Sequence, residues 1–504
     1  MERQLTLGGA NVVTKGLRIL WVNRVEEWRG SNSLSITATQ LCKAILDLDP
    51  YASIVFPYHE AFGGKEWMLN YSLEKDDLDR IHTFHYPQKV VGSTPATRKI
   101  GWLSGPAMFH RMKPLSEDVK YIDAMVVDGC TAIVPQLRMA THSTFQQGYG
   151  RQIPCISYES WTPTDSWKNC IYGTFDTKSH LLGALYSDRN YYQSTWCMED
   201  HLDSYRNILK PSVIKSFLPK LGVINTGVWS DTLPRKSHSG DKPVIMWSGH
   251  FQEDYDRVKE PLFAAYKCGV AKKLIFHFMV GSSKSEIPER ILDELKDQGP
   301  DIEIRTEMTQ SEYHKFIIDE VDIAVGLGLT LNQYGGRYVE MAAMGVLLVT
   351  NDIYAKIIFP DWENYPFRVG TNDLTKLVYA ACRHLKDNPD FTTKYADAVR
   401  EFHDVRTSGK QFYDACIELR DEEHARTNFG DLPKLAEEVF EGCERMEHAT
   451  FISLLGDKLS TPQDLRNNPI FPPGILRWVA LSQGYVDVSG PDEPTYVRED
   501  LLET

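Results

Sequence analysis

Gly335 and Gly336, followed by Arg337, Tyr338, Val339 and Glu340, put backbone freedom, a cation and a carboxylate at the start of one short run. Two glycines let the chain turn sharply. The residues up to Met344 are then helix formers, and the helix should stop at Gly345, ahead of the strand-like run Val346 to Thr350. The free N–H groups at such a helix start, with the positive end of its dipole, suit a diphosphate. Glu340 lies about one turn further in, where its oxygens could accept hydrogen bonds from two neighbouring ribose hydroxyls. The same residues also serve as a plain helix-to-strand turn in any α/β domain, with Glu340 solvated.

Further candidates stand at the ends of other apolar runs. Val244 to Trp247 leads into Ser248, Gly249 and His250, then an acidic stretch, then Arg257 and Lys259 ahead of an apolar helical pattern. A cation there would stand beside the diphosphate, and Arg257 is the phosphate candidate; Lys259 reads equally well as a surface lysine. Gly281 ends another run with a small turn that a ligand could approach. Earlier in the chain, Asp128 follows Ala124 to Val127 and Glu159 follows Ile153 to Tyr158. These are strand carboxyl ends, where α/β sites lie, so either carboxylate could deprotonate an acceptor. Asp128-Gly129 is also a common turn dipeptide, and Glu159 could simply cap a loop. The turn from Asn23 to Ser33 supplies Arg24, Arg29 and Gly30 as acceptor contacts. It lacks the G-x-G-x-x-G spacing, which disfavours a nicotinamide enzyme. His82, His85 and His110 read as loop residues without metal-ligand spacing.

These residues need a scaffold, and the pattern supplies one. Apolar runs at Leu17 to Val22, Ser53 to Phe56, Ala124 to Val127, Ile153 to Tyr158 and Gly222 to Ile224 alternate with helical patterns, as in a parallel sheet with covering helices. The alternation resumes after the polar stretch Asp231 to Lys242, with strands expected at Val244 to Trp247, Lys273 to Val280, Ile302 to Arg305, Ile323 to Val325 and Val346 to Thr350. Two Rossmann-like halves follow from this. The expected divisions are 1–235, 236–375, a helical segment 376–419 and an appendage 420–504.

At 504 residues, 42% hydrophobic and 25% charged, the chain reads as a multidomain globular protein. The net charge of −14 argues against a general polyanion-binding surface. Nine cysteines without a CxxC pair indicate neither a disulfide framework nor a zinc site, which fits a reducing, cytoplasmic setting. No run reaches the roughly 18 apolar residues of a membrane span.

The order Ile224-Asn225-Thr226-Gly227-Val228, Ser248-Gly249 with Arg257, Val280-Gly281, then Gly335 to Glu340 with Met341-Ala342-Ala343-Met344-Gly345 resembles the C-terminal half of GT-B glycosyltransferases, particularly the retaining family 4-like group. The resemblance implies an α/β GT-B fold, with two Rossmann-like domains facing a cleft. It implies a nucleoside-diphosphate sugar as donor, most simply a UDP-sugar, used without a required metal. It places Glu340 on the ribose, Gly335 and Gly336 near the donor sugar and diphosphate, and Arg257 on the leaving phosphate; Gly249, His250, Lys259, Gly281, Asn332 and Arg337 complete the donor shell. Two positions depart from the family pattern. Asn332 stands where a carboxylate usually lies eight positions before the ribose-binding one, and His250 replaces an arginine. The leading expectation is an enzyme that moves the sugar to a hydroxyl; these departures motivate the alternative of a GT-B protein that binds but does not turn over.

Tyr338-Val339-Glu340-Met341 with Gly345, and Ile153 to Glu159, also resemble phage α-glucosyltransferases that modify hydroxymethylated bases in DNA. That implies double-stranded DNA as acceptor and, for a phage protein, the host cytoplasm; a cytosolic glycan, lipid or small molecule is the alternative acceptor. In the appendage, a capped segment near Leu459 to Leu465, a helical run Pro473 to Gln483 and the pair Tyr485 to Val488 and Thr495 to Arg498 are the ingredients of a winged helix. The acidic balance of this tail is poor for phosphate contact.

Overall fold

The computed structural model describes residues 2–7, 10–23, 33–59, 65, 68–69, 73–86, 122–129, 131, 134–135, 137–138, 141, 153–159, 173–239, 241–249, 252–278, 287–306, 308–327, 336–370, 373–421, 485–487 and 496–498. An antiparallel pair, β1 (Glu2–Leu7) and β2 (Ala10–Lys15), opens the chain. The first sheet then follows. Its elements are β3 (Arg18–Asn23), α1 (Ser33–Leu48), β4 (Ser53–His59), α2 (Lys75–Leu78), β5 (Ile81–Tyr86), β6 (Ala124–Asp128), β7 (Cys155–Glu159), α3 (Gly173–Tyr186), β8 (Arg189–Tyr192), α4 (Thr195–Arg206), α5 (Pro211–Phe217) and β9 (Leu221–Val223). The strands are all parallel, in the order β5-β4-β3-β6-β7-β8-β9.

A parallel strand covered on both faces must be apolar throughout. β6 and β7 are buried at every position, which is why Ala-Met-Val-Val and Cys-Ile-Ser-Tyr read as strands without alternation. β5 and β8 were not legible in that way. Ile-His-Thr-Phe-His-Tyr interleaves histidines with apolar residues, and Arg-Asn-Tyr-Tyr is too short and polar to announce itself. His82 and His85 therefore lie on a strand rather than in a loop.

The second sheet is built from β10 (Val244–Gly249), α6 (Gln252–Lys267), β11 (Lys273–Phe278), α7 (Glu289–Asp297), β12 (Ile302–Arg305), α8 (Gln310–Glu320), β13 (Ile323–Gly326), α9 (Gly336–Met344), β14 (Leu347–Asn351), α10 (Asp352–Ile358) and β15 (Arg368–Val369). Its order is β12-β11-β10-β13-β14-β15, again parallel. Each sheet reverses its strand order once, between β3 and β6 in the first and between β10 and β13 in the second. In doubly wound sheets ligands bind outside the strand carboxyl ends at such a reversal. Helices α11 (Leu374–Asp387), α12 (Phe391–Phe402) and α13 (Val405–Asp421) follow.

Two compact units result, Met1–Ile224 together with the chain from Gly409, and Asn225–Ser408. The polar stretch before β10 is not a loose tether. Lys236 Nζ donates to the Ile318 carbonyl (2.8 Å), His238 Nε2 lies 2.9 Å from the Gly345 carbonyl, and Arg400 donates to the carbonyls of Ser230 and Leu233, all within the second unit. His403 is fully buried there beside the Ile358 carbonyl, and burial lowers its pKa to about 4. In the first unit, α13 seats Phe412 edge-on against Trp21 and Tyr158, with centroids at 5.3 and 4.9 Å. The Tyr413 hydroxyl donates to Asp49. In the appendage, β16 (Tyr485–Asp487) pairs antiparallel with β17 (Tyr496–Arg498), the hairpin expected there; the two helices expected before it lie outside the described residues.

Candidate functional site

At the second reversal, β10 and β13 end on glycines, Gly249 and Gly326, and α9 begins after β13. A side chain at Gly249 would place its Cβ 2.3 Å from the Trp247 ring, so only glycine fits. The two strand ends are tied together from α9. The Tyr338 hydroxyl donates to the Ser248 carbonyl at 2.6 Å, with the Val325 carbonyl 3.1 Å away. Ser248 Oγ is 2.9 Å from Nδ1 of the buried His277, and Thr350 Oγ1 donates to the Gly326 carbonyl. A rigid floor under the helix start is the consequence.

Helix α9 ends as its sequence requires. Gly345 has φ +94°, and the N–H groups of Gly345 and Val346 return to the carbonyls of Ala342 and Met341, a Schellman closure. At the other end, Gly336 is the first helical residue and Arg337 the second. A cation in the first turn opposes the helix dipole, so Arg337 needs another reason to be there. Its guanidinium lies over the Tyr313 ring, 5.3 Å from the centroid, and Nη1 is buried without a hydrogen-bond partner among the described residues. An anion at the helix start would satisfy both the dipole and that nitrogen.

Glu340 lies one turn on, mostly buried. Gln310 Nε2 donates to its Oε1 at 3.2 Å, and His314 Nε2 stands 3.5 Å from its Oε2. Gln310, Tyr313 and His314 all belong to α8, an element the candidate residues did not include. Their i, i+3, i+4 spacing was a readable sign of one shared face, but nothing in the sequence linked that face to α9.

The other donor candidates separate. Lys259 is engaged with Glu294 (2.9 Å) and Asp256 (3.1 Å), which hold its pKa above the usual lysine range. Arg257 is exposed on α6. His250, Gly281, Asn332 and Gly335 lie outside the described residues, as do Arg24, Arg29 and Gly30.

The first-unit carboxylates are close neighbours at the ends of β6 and β7, where Gly129 N–H donates to the Tyr158 carbonyl. Asp128 is fully buried, and neither oxygen has a hydrogen-bond partner among the described residues. Burial and the Glu159 charge push its pKa well above the carboxylate range; the Trp21 indole N–H, off hydrogen-bond alignment, offsets this only in part. Burial would raise Glu159 too, but His180 (3.4 Å), His201 and the Thr131 N–H (3.0 Å) outweigh it and lower its pKa to about 2. Among the described residues, no three His, Cys, Asp or Glu side chains gather where a metal ion could sit, and no helix is long and apolar enough to cross a membrane.

No family model matches the chain, and no curated protein matches it in sequence. Solved structures match in fold. The HepE protein of Anabaena, in complex with UDP and glucose, superposes with a TM-score of 0.52 at 10% identity, covering 80% of this chain and 100% of its own. Its complex with UDP-glucose gives 0.51 over the same shares, again at 10% identity. A glycosyltransferase from Rickettsia africae gives 0.53 at 13% identity, over 81% of this chain and 100% of its own. Two parallel Rossmann-like sheets in this strand order, matched over that length, establish the GT-B fold.

Proposed function

We propose that the protein is a glycosyltransferase that binds the nucleoside diphosphate of a sugar donor at the start of α9 and transfers the sugar to a hydroxyl. The observation that carries this reading is Arg337. It is a cation placed against the helix dipole, held on Tyr313, with a buried and unpartnered Nη1 one turn from a carboxylate that can accept the ribose hydroxyls. UDP and UDP-glucose are what the HepE structures hold, so a UDP-sugar is the donor to try first.

In this reading the α9 N-terminus and Arg337 bind the diphosphate and stabilise its growing charge as the glycosidic bond breaks. Glu340 fixes the ribose, and Arg257 is available to the leaving phosphate. Gly335 and Gly336 let the backbone approach the donor; His250, Gly281 and Asn332 are assigned to the donor shell, and Arg24, Arg29 and Gly30 to the acceptor.

The first-unit carboxylates favour retention over inversion. An inverting enzyme needs a base that reaches the acceptor proton with a pKa near working pH. Asp128 is sealed in the sheet, out of reach of an acceptor, while Glu159, with a pKa of about 2, is a weak base already committed to His180 and Thr131. The leaving phosphate then takes the acceptor proton, and these two carboxylates are positioning groups. The first acceptor to test is a hydroxymethylated pyrimidine in duplex DNA, supported by the resemblance of Tyr338 to Met341 and Ile153 to Glu159 to phage enzymes; a glycan, lipid or small molecule is the alternative.

Incubation with radiolabelled UDP-sugars tests this. Donor turnover that Glu340→Ala abolishes is the expected result, and the absence of turnover with any sugar nucleotide would favour a binding protein of the same fold. Label on hydroxymethylated but not unmodified duplex would support the DNA acceptor; label absent from both would remove it.

A further inference from the structure

Three side chains of α8 face the two functional side chains of α9. Gln310 and His314 meet the two oxygens of Glu340, and Tyr313 between them carries the Arg337 guanidinium. The start of α8 is itself fixed. Thr309 Oγ1 accepts from the Glu312 N–H while the Glu312 carboxylate accepts from the Thr309 N–H, a capping box one residue ahead of Gln310. A carboxylate offers about four acceptor positions. Gln310 takes one position on Oε1, and His314 Nε2, 3.5 Å from Oε2 and not hydrogen-bonded to it, borders the other oxygen, so both oxygens keep a position for an incoming O–H donor, and a vicinal diol brings two.

We infer that Gln310 and His314 are positioning residues that orient the Glu340 carboxylate to accept both ribose hydroxyls, making the site selective for ribonucleoside over 2′-deoxyribonucleoside diphosphates. This rests on reading α9 as the nucleotide site. A partly exposed pair of this kind contributes little to folding, so its removal should register in ligand choice.

The test is calorimetric titration of UDP, ADP, GDP and CDP, each against its 2′-deoxy counterpart. The proteins are the wild type, Gln310→Ala, His314→Gln, and the double variant Gln310→Ala with His314→Ala. The wild type should bind the preferred ribo form roughly tenfold or more tightly than the deoxy form, the range for a hydrogen bond to a charged acceptor. In the double variant the ratio should fall to about threefold or less, while His314→Gln, which keeps an N–H donor, should retain most of it. Equal weakening of both forms with the ratio intact would show a merely structural role and overturn the inference. So would a wild type that binds both forms equally. Failure of the wild type to bind any of these diphosphates would overturn the nucleotide site itself, and the clamp with it.

Discussion

In the second unit, the strands flanking the order reversal end on Gly249 and Gly326, and the next helix starts with an under-partnered arginine and a half-engaged glutamate. In the first unit, the strands flanking the equivalent reversal end on Asn23 and Asp128. There the carboxylate is buried with its pKa pushed up, and its neighbour Glu159 has a lowered pKa and is held by His180 and Thr131. Topology is shared; what differs is which groups remain unsatisfied. Glycines at one edge make room for the Trp247 and Tyr338 rings that pack against the strand ends. Buried carboxylates stand at the other, and the proposed function accordingly puts the donor at the second unit.

The largest effect should come from exchanging the two edges under one assay. Glu340→Ala should weaken nucleoside diphosphate binding roughly ten- to hundredfold, and Asp128→Asn should leave it unchanged; equal losses in isothermal titration would dissolve the contrast.

Acid should next separate the units. His403, with a pKa near 4 against its ordinary 6.5, stays neutral in the fold while the unfolded chain takes up a proton below 6.5. Its contribution, about 3 kcal/mol, is present above pH 6.5 and lost as pH falls toward 4. Glu159, with a lowered pKa, acts later: its contribution is present above its ordinary 4.5 and is lost only as pH falls toward 2. Hydrogen exchange followed from pH 7 to pH 4 should therefore show the second unit opening with a slope that His403→Gln flattens.

A smaller effect of opposite sign belongs to Asp128. A raised carboxyl contributes stability below its ordinary 3.8 and loses it as pH rises through the native value. Asp128→Asn should be more stable than the wild type by about 1–3 kcal/mol at pH 8, with the difference vanishing near pH 4 in urea titrations. Smallest is Gly345→Ala. Its φ of +94° disfavours any side chain, and a loss of about 1–2 kcal/mol should appear as a lower Tm.

Much of this contrast was readable along the chain. Gly335 to Thr350 announced a helix, its glycine stop and the strand after it, because each uses a local preference: helix formers, left-handed glycine, β-branched residues. The parallel sheets were readable from apolar runs for the same reason. The features that carry no local signal depend on partners distant in sequence. β8 is a strand because β7 and β9 flank it, and Arg189 to Tyr192 carries no strand signal of its own. The α8 face matters because Glu340 lies against it. The opposite pKa shifts of Asp128 and Glu159, two similar carboxylates at similar strand ends, come from His180 and Thr131 rather than from their own positions.

Hydrogen exchange with and without saturating UDP tests the central claim most directly. The account predicts slowed exchange at the amides of Gly336 to Glu340 and along the Gln310 to His314 turn, with none at β6 or β7. Protection confined to the first unit, or none at a concentration where binding is complete by calorimetry, would contradict it.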